Sequence, residues 1–135
     1  MKSKIIIVLA VFTTFFSCKN EVREEAKPIV ENSKTTEIQL IQFHTEHRCV
    51  TCNNIEKLSK ETIKGNNQIS FVLYNVDDEK NAKVAEQFEA SGTSLYLYNS
   101  KTKATKDLTE MAFMYAKNEG DKFKTELQKE ISAFK

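Results

Sequence analysis

The sequence predicts an α/β domain with a central mixed sheet flanked by helices, in the order β-α-β-α-β-β-α. Three observations carry that prediction. Short apolar runs rich in β-branched and aromatic residues alternate with stretches of helical periodicity. The 135 residues contain 3 Gly and 1 Pro and ample Lys and Glu, a composition suited to one domain with short loops. Two cysteines, Cys49 and Cys52, stand where the first strand pattern gives way to the first helical one. In open α/β sheets reactive groups gather at the carboxyl ends of strands, beside helix N-termini.

The chain begins with a segment of another kind. Lys2 and Lys4 form a short basic stretch, and Ile5 to Phe16 is a twelve-residue apolar run softened by Thr13 and Thr14. That run is short for a bilayer span and suits the apolar core of a signal peptide. It ends Phe15-Phe16-Ser17-Cys18. A small residue before a cysteine resembles the lipobox of bacterial lipoproteins, with Phe15 in place of the usual leucine. The expectation is export, with Cys18 becoming the lipidated first residue, and an ordinary secretory signal or an uncleaved anchor as the other readings. Removal of residues 1–17 leaves 18 basic and 19 acidic residues. Residues 18–36, rich in Lys, Glu, Asn, Ser and Thr and holding Pro28, have too little apolar content to fold alone. They are read as a tether to a membrane, and residues 37–135 as the folded domain.

Within that domain, Glu37 to His44 reads as a strand through Ile38, Leu40, Ile41 and Phe43. Val50 to Lys64 reads as a helix whose inner face carries Cys52, Ile55, Leu58 and Ser59, with Gly65 closing it. Ile69 to Val76 is almost continuously apolar, as in a central strand covered on both sides. Asp77, Asp78 and Glu79 mark the start of a second helix to about Ala90, with Ala82, Ala85 and Phe88 inward. Ser94 to Asn99 is a strand with Leu95 and Leu97 on one face and Tyr96 and Tyr98 on the other. A reversal at Ser100-Lys101-Thr102 leads to a weaker edge strand, Lys103 to Leu108, whose lysines discourage pairing with another chain. The remainder is helical, capped by Asp107 or Thr109 and broken near Gly120. Met111, Met114 and Tyr115 form one core stripe, and Phe123, Leu127, Ile131 and Phe134 another.

The chemistry lies in the stretch from Gln42 to Cys52. Two thiols three residues apart at a helix start lie within one turn. They can close a small disulfide ring or share one metal ion. The helix N-terminus offers unpaired N–H groups and partial positive charge, which favours a thiolate at Cys49. Cys52 is then the resolving thiol. Arg48 places a cation beside Cys49. His44 and His47 add two imidazoles within nine residues of the thiols, a Cys/His set suited to Zn²⁺ or Cu(I). Each histidine also reads as an ordinary hydrogen-bonded or solvated loop residue.

The element order with C-x-x-C after the first strand resembles the thioredoxin fold over about residues 36–135. Gly92-Thr93-Ser94-Leu95 looks like the thioredoxin turn that carries a cis-proline opposite the active site. Ser94 stands at that proline's place, 42 residues after Cys52. The resemblance implies that Thr93 and Ser94 line a substrate groove. It also puts Gln42 where thioredoxins bury an acidic proton shuttle, and Arg48 where they carry a tryptophan. More narrowly, the lipoprotein-like start, Phe43, His44, Arg48, Cys49, Cys52, the G-T-S-L turn and the helical tail resemble bacterial lipoproteins of the nitrophenyl-compound nitroreductase subunit ArsF family.

These readings imply an envelope-anchored thiol–disulfide oxidoreductase or redox accessory protein, a monomer with a protein disulfide substrate or redox partner and no cofactor beyond its own disulfide. A Cu(I)- or Zn-binding protein using His44, His47, Cys49 and Cys52 is the alternative, as is a thioredoxin-like adaptor without enzymatic activity. A formal net charge of +1 gives no basic field for nucleic acid. The sequence has no G-x-G-x-x-G dinucleotide fingerprint.

Overall fold

Strand β1 (Ile38–His44) is the centre of the sheet: β2 (Ile69–Asn75) pairs with it in parallel on one side and β3 (Ser94–Asn99) antiparallel on the other. The short β4 (Thr105–Asp107) adds to β3 antiparallel, so the strand order is β2-β1-β3-β4. This is a computed structural model, and it describes residues 36–134. The segment read as a signal peptide, Cys18 and all of the tether before Thr36 lie outside the described residues.

Alternation along the strands sorts their side chains to two faces. Leu40, Ile69, Leu95 and Leu97 meet α1 (Val50–Ile63), α3 (Thr109–Ala116) and α4 (Gly120–Ala133) through Ile55, Leu108, Ala112, Ala116, Phe123, Leu127 and Ile131. Ile41, Phe43, Tyr74, Tyr96 and Tyr98 meet α2 (Ala82–Gln87) and its flanks through Ala85, Phe88 and Ala90. The second core is aromatic. Phe43 lies 5.5 Å from both the Tyr74 and Phe88 rings and 5.9 Å from Tyr96, the last edge-on. Such pairs add about 0.5–1.5 kcal/mol each beyond the area they bury. The predicted alternation of Leu95 and Leu97 against Tyr96 and Tyr98 is observed.

Three expectations change. The apolar run of β2 is packed on both faces, yet the strand lies at the sheet edge and β1 is central. The second helix opens with a 3₁₀ turn, Glu79–Asn81, capped by Asp78, and Ala82 is exposed while Ala85 and Phe88 are buried. In α3 the buried face is Ala112 and Ala116; Met111 and Tyr115 pack at its margin and Met114 faces out. The break predicted near Gly120 is observed: α3 and α4 are parted at residues 117–119.

Loop chemistry follows the sequence. Gly65 ends α1 at φ +86°, a conformation open to glycine. The Asn99 side chain accepts from the N–H groups of Lys101 (2.9 Å) and Thr102 (3.0 Å), closing the reversal into β4. Asp107 accepts from Thr109 N–H at 2.8 Å and serves the first turn of α3, while the Thr109 hydroxyl accepts from Leu95 N–H at 3.1 Å.

Candidate functional site

Residues 45–49 connect the carboxyl end of β1 to the start of α1, and two ties hold this loop. Val76 N–H donates to the His44 carbonyl at 2.8 Å, and Glu46 N–H donates to the Asp77 carboxylate at 2.7 Å. The site is therefore braced against the β2–α2 connection.

Cys49 is the N-cap of α1, in extended conformation, and its sulfur accepts from Cys52 N–H at 3.3 Å. Cys49 is exposed and Cys52 buried; both are free thiols, with their sulfurs 2.7 Å apart. The Thr93 hydroxyl lies 3.2 Å from the Cys52 sulfur. These contacts push the Cys49 thiol below its ordinary value. The hydrogen bond from the Cys52 side chain is the largest cause, followed by Cys52 N–H; desolvation opposes them, and Thr51 N–H adds a lesser lowering. With Cys52 donating to Cys49, the Thr93 hydroxyl is placed to donate to Cys52 in turn.

Two residues support the pair from below and beside it. Gln42 is fully buried on β1, and its amide donates to the Cys52 carbonyl at 3.0 Å. An uncharged amide thus occupies the position where the resemblance implies an acid. Arg48 pairs with Glu56 at 2.6 Å, and its other guanidinium nitrogen reaches the Cys52 carbonyl at 3.4 Å. Burial raises the Glu56 carboxyl, but hydrogen bonds from Lys60 and Arg48 outweigh it and hold the group below its ordinary value. The cation expected beside Cys49 is therefore neutralised by a carboxylate one turn beyond Cys52. Sequence reading passed over Glu56; Arg48 lies outside α1, so no helical spacing signals the pair.

Thr93 and Ser94 both sit at the site end of the sheet, and Ser94 is buried opposite Phe43. No cis peptide bond occurs among the described residues, so the Thr93–Ser94 bond is trans. The His44 ring donates through Nδ1 to the Thr45 carbonyl at 2.8 Å, because a carbonyl only accepts. His47 is exposed, and its carbonyl accepts from the Thr45 hydroxyl at 2.9 Å. Among the described residues no three of His, Cys, Asp or Glu are arranged to hold a metal ion, so the two imidazoles and two thiols are not assembled as one ligand set.

No family model and no curated protein matches the chain. Similar solved structures include a malarial protein, at 20% identity and TM-score 0.42, covering 58% of this chain and 94% of that one. They also include the human ERp44 zinc-bound form, at 13% identity and TM-score 0.39, covering 63% of this chain and 27% of ERp44. With both TM-scores below 0.5, topology decides. A mixed four-stranded sheet is flanked by helices on both faces, with β1 between a parallel and an antiparallel neighbour and a C-x-x-C pair at the β1–α1 junction. The fold is thioredoxin-like. In a thioredoxin-like frame, Cys49, Cys52 and Thr93 come together from two segments 41 residues apart.

Proposed function

We propose that this chain exchanges disulfides, with Cys49 as the attacking thiol and Cys52 as the resolving one. The observation that carries the proposal is the contrast between the two cysteines: an exposed N-cap sulfur held by N–H and S–H donors, and a buried sulfur within bonding reach of it. In the reducing direction the Cys49 thiolate attacks one sulfur of a partner's disulfide. A Cys49–partner S–S bond forms, the partner's S–S bond breaks, and the departing thiolate takes a proton from solvent. Cys52 then loses its proton and attacks Cys49, closing the Cys49–Cys52 disulfide and releasing the second partner thiol. Two electrons and two protons pass to the partner, and the oxidising direction is the reverse. Thr93, at the Cys52 sulfur, is placed to take part in that proton's departure, and Ser94 lines the approach beside it.

The partner is a protein disulfide or dithiol. Anchoring through a lipidated Cys18 places the domain in the cell envelope outside the cytoplasm; the Ser17-Cys18 junction after an apolar run supports this. The finer resemblance to the ArsF family supports a role beside an enzyme rather than nitroreduction by this chain, which lacks a dinucleotide fingerprint.

The test is equilibration of the chain in graded glutathione buffers, followed by alkylation and mass measurement. A reversible two-electron transition, with Cys49 alkylated first, is expected. A pair that stays oxidised throughout the series would reduce the cysteines to a structural crosslink and sink the proposal.

A further inference from the structure

The sheet has two ends, and the thiols occupy only one. Strand β1 runs seven residues from Ile38 to His44, so its start lies about 20 Å from the loop that carries Cys49. At that far end a cleft of about 750 Å³ opens between the start of β1, the turn from α1 into β2 and the last turn of α4. Small-molecule sites have volumes of about 300–1,000 Å³. Part of the wall is apolar, through Ile38, Ile69, Ile131 and the ring of Phe134. The remainder is carboxamide and hydroxyl, with Glu37 as the one charged side chain; among the described residues no lysine or arginine lines the cleft.

The hydrogen bonds already made there decide what is left over. Asn99 is buried, and its amide donates to the Glu37 carboxylate at 3.2 Å while its oxygen serves the reversal into β4. The second carboxylate oxygen of Glu37 is left to accept. The Asn66 oxygen accepts from Gln68 N–H at 3.0 Å, which leaves the Asn66 amide to donate. The Ser132 hydroxyl donates to the Gln128 carbonyl at 2.8 Å, and the Thr36 hydroxyl to the Ile38 carbonyl at 2.9 Å, so both oxygens are left as acceptors. The exposed carboxamides of Asn67, Gln68 and Gln128 offer both functions.

We propose that this cleft is a second binding site, for a neutral saccharide of one or two rings. A hydroxyl group both gives and takes a hydrogen bond, which matches donors and acceptors set side by side. The C–H face of a sugar ring suits the apolar wall of Ile131 and Phe134. A phosphate or carboxylate meets no cation there and faces Glu37. A wholly apolar molecule takes Asn66, Glu37 and Ser132 out of water and returns no hydrogen bond. The site is independent of the exchange reading: it lies at the other end of the sheet, and a bound glycan leaves Cys49 open.

The experiment titrates the ¹⁵N-labelled full-length chain with cellobiose, maltose and N,N′-diacetylchitobiose, with inorganic phosphate and methylammonium as charged controls. The side-chain amide signals of Asn66 and Gln68 are followed. A saturable shift with at least one disaccharide is expected, at a Kd of about 0.1–10 mM. The N67A/Q128A variant changes two exposed side chains and should bind that disaccharide at least about fivefold more weakly, the loss of one or two hydrogen bonds. The alkylation rate of Cys49 should be the same with and without sugar. No saturable shift with any disaccharide, an affinity unmoved in N67A/Q128A, or equal shifts with either charged control overturns the site.

Discussion

Cys49 owes its character to position rather than to a nearby cation. Its sulfur caps α1 and is held by donors from Cys52 and Thr51, which hold the thiolate form below the usual 9.0. A group with a lowered folded value stabilises the fold fully above the unfolded value and loses that contribution as pH falls through the folded one. The reduced chain should therefore gain urea resistance relative to Cys49→Ser as pH rises toward 9.0, measured anaerobically with reductant. An equal pH dependence in both proteins would remove the cap as the cause. Glu56 acts on the same sulfur at one remove, because it engages Arg48. Glu56→Gln leaves that guanidinium without its carboxylate partner, and iodoacetamide should then alkylate Cys49 about two- to threefold faster near neutral pH. The gain should vanish when Arg48→Gln is added; its persistence would show that Arg48 is not the intermediary. The first effect was legible in the sequence, because a cysteine at a helix start meets unpaired N–H groups; the second was not. Spacing placed a cation next to Cys49 but could not show where its side chain turns.

Helix α1 shows how much an element can be read locally. Its start at Val50, its end before Gly65 and its inner face of Cys52, Ile55 and Ser59 were all written in periodicity and breakers. The same reasoning found the α4 face of Phe123, Leu127 and Ile131. Leu127 is fully buried between α4 and its neighbours, so Leu127→Ala should cost about 2–5 kcal/mol in denaturant unfolding, with m unchanged. A loss under about 1 kcal/mol would mean that the seam between α4 and the sheet collapses around the gap. In α3 periodicity names Met111, Met114 and Tyr115 as a core stripe; Met111 and Tyr115 do pack at the core's margin, while Met114 is exposed. Its fully buried positions are the alanines, Ala112 and Ala116, not the methionines. Hydrophobicity ranks the larger side chains first, whereas close packing selects the smaller ones.

For the whole molecule, the proposed anchor and the folded domain are separable. Cys18→Ser should move the protein from the membrane to the soluble fraction after cell disruption, without altering alkylation of Cys49. Continued sedimentation of the variant with membranes would set lipidation at Cys18 aside. Within the described residues no helix is long and apolar enough to cross a membrane. The order of strands, helices and turns, the two-faced β3 and the placement of C-x-x-C at a strand–helix junction were determined by the sequence itself, because caps, breakers and periodicity act over a few residues. Only the tertiary structure decided that β1 rather than β2 is central, since an apolar run reports coverage of its faces and says nothing about its edges. The tertiary structure likewise decided that Thr93 meets Cys52, that Glu56 claims Arg48, and that the two imidazoles stay apart from the thiols as a ligand set. These depend on where side chains distant in sequence, or turned by a rotamer, come to rest, and no local pattern encodes that.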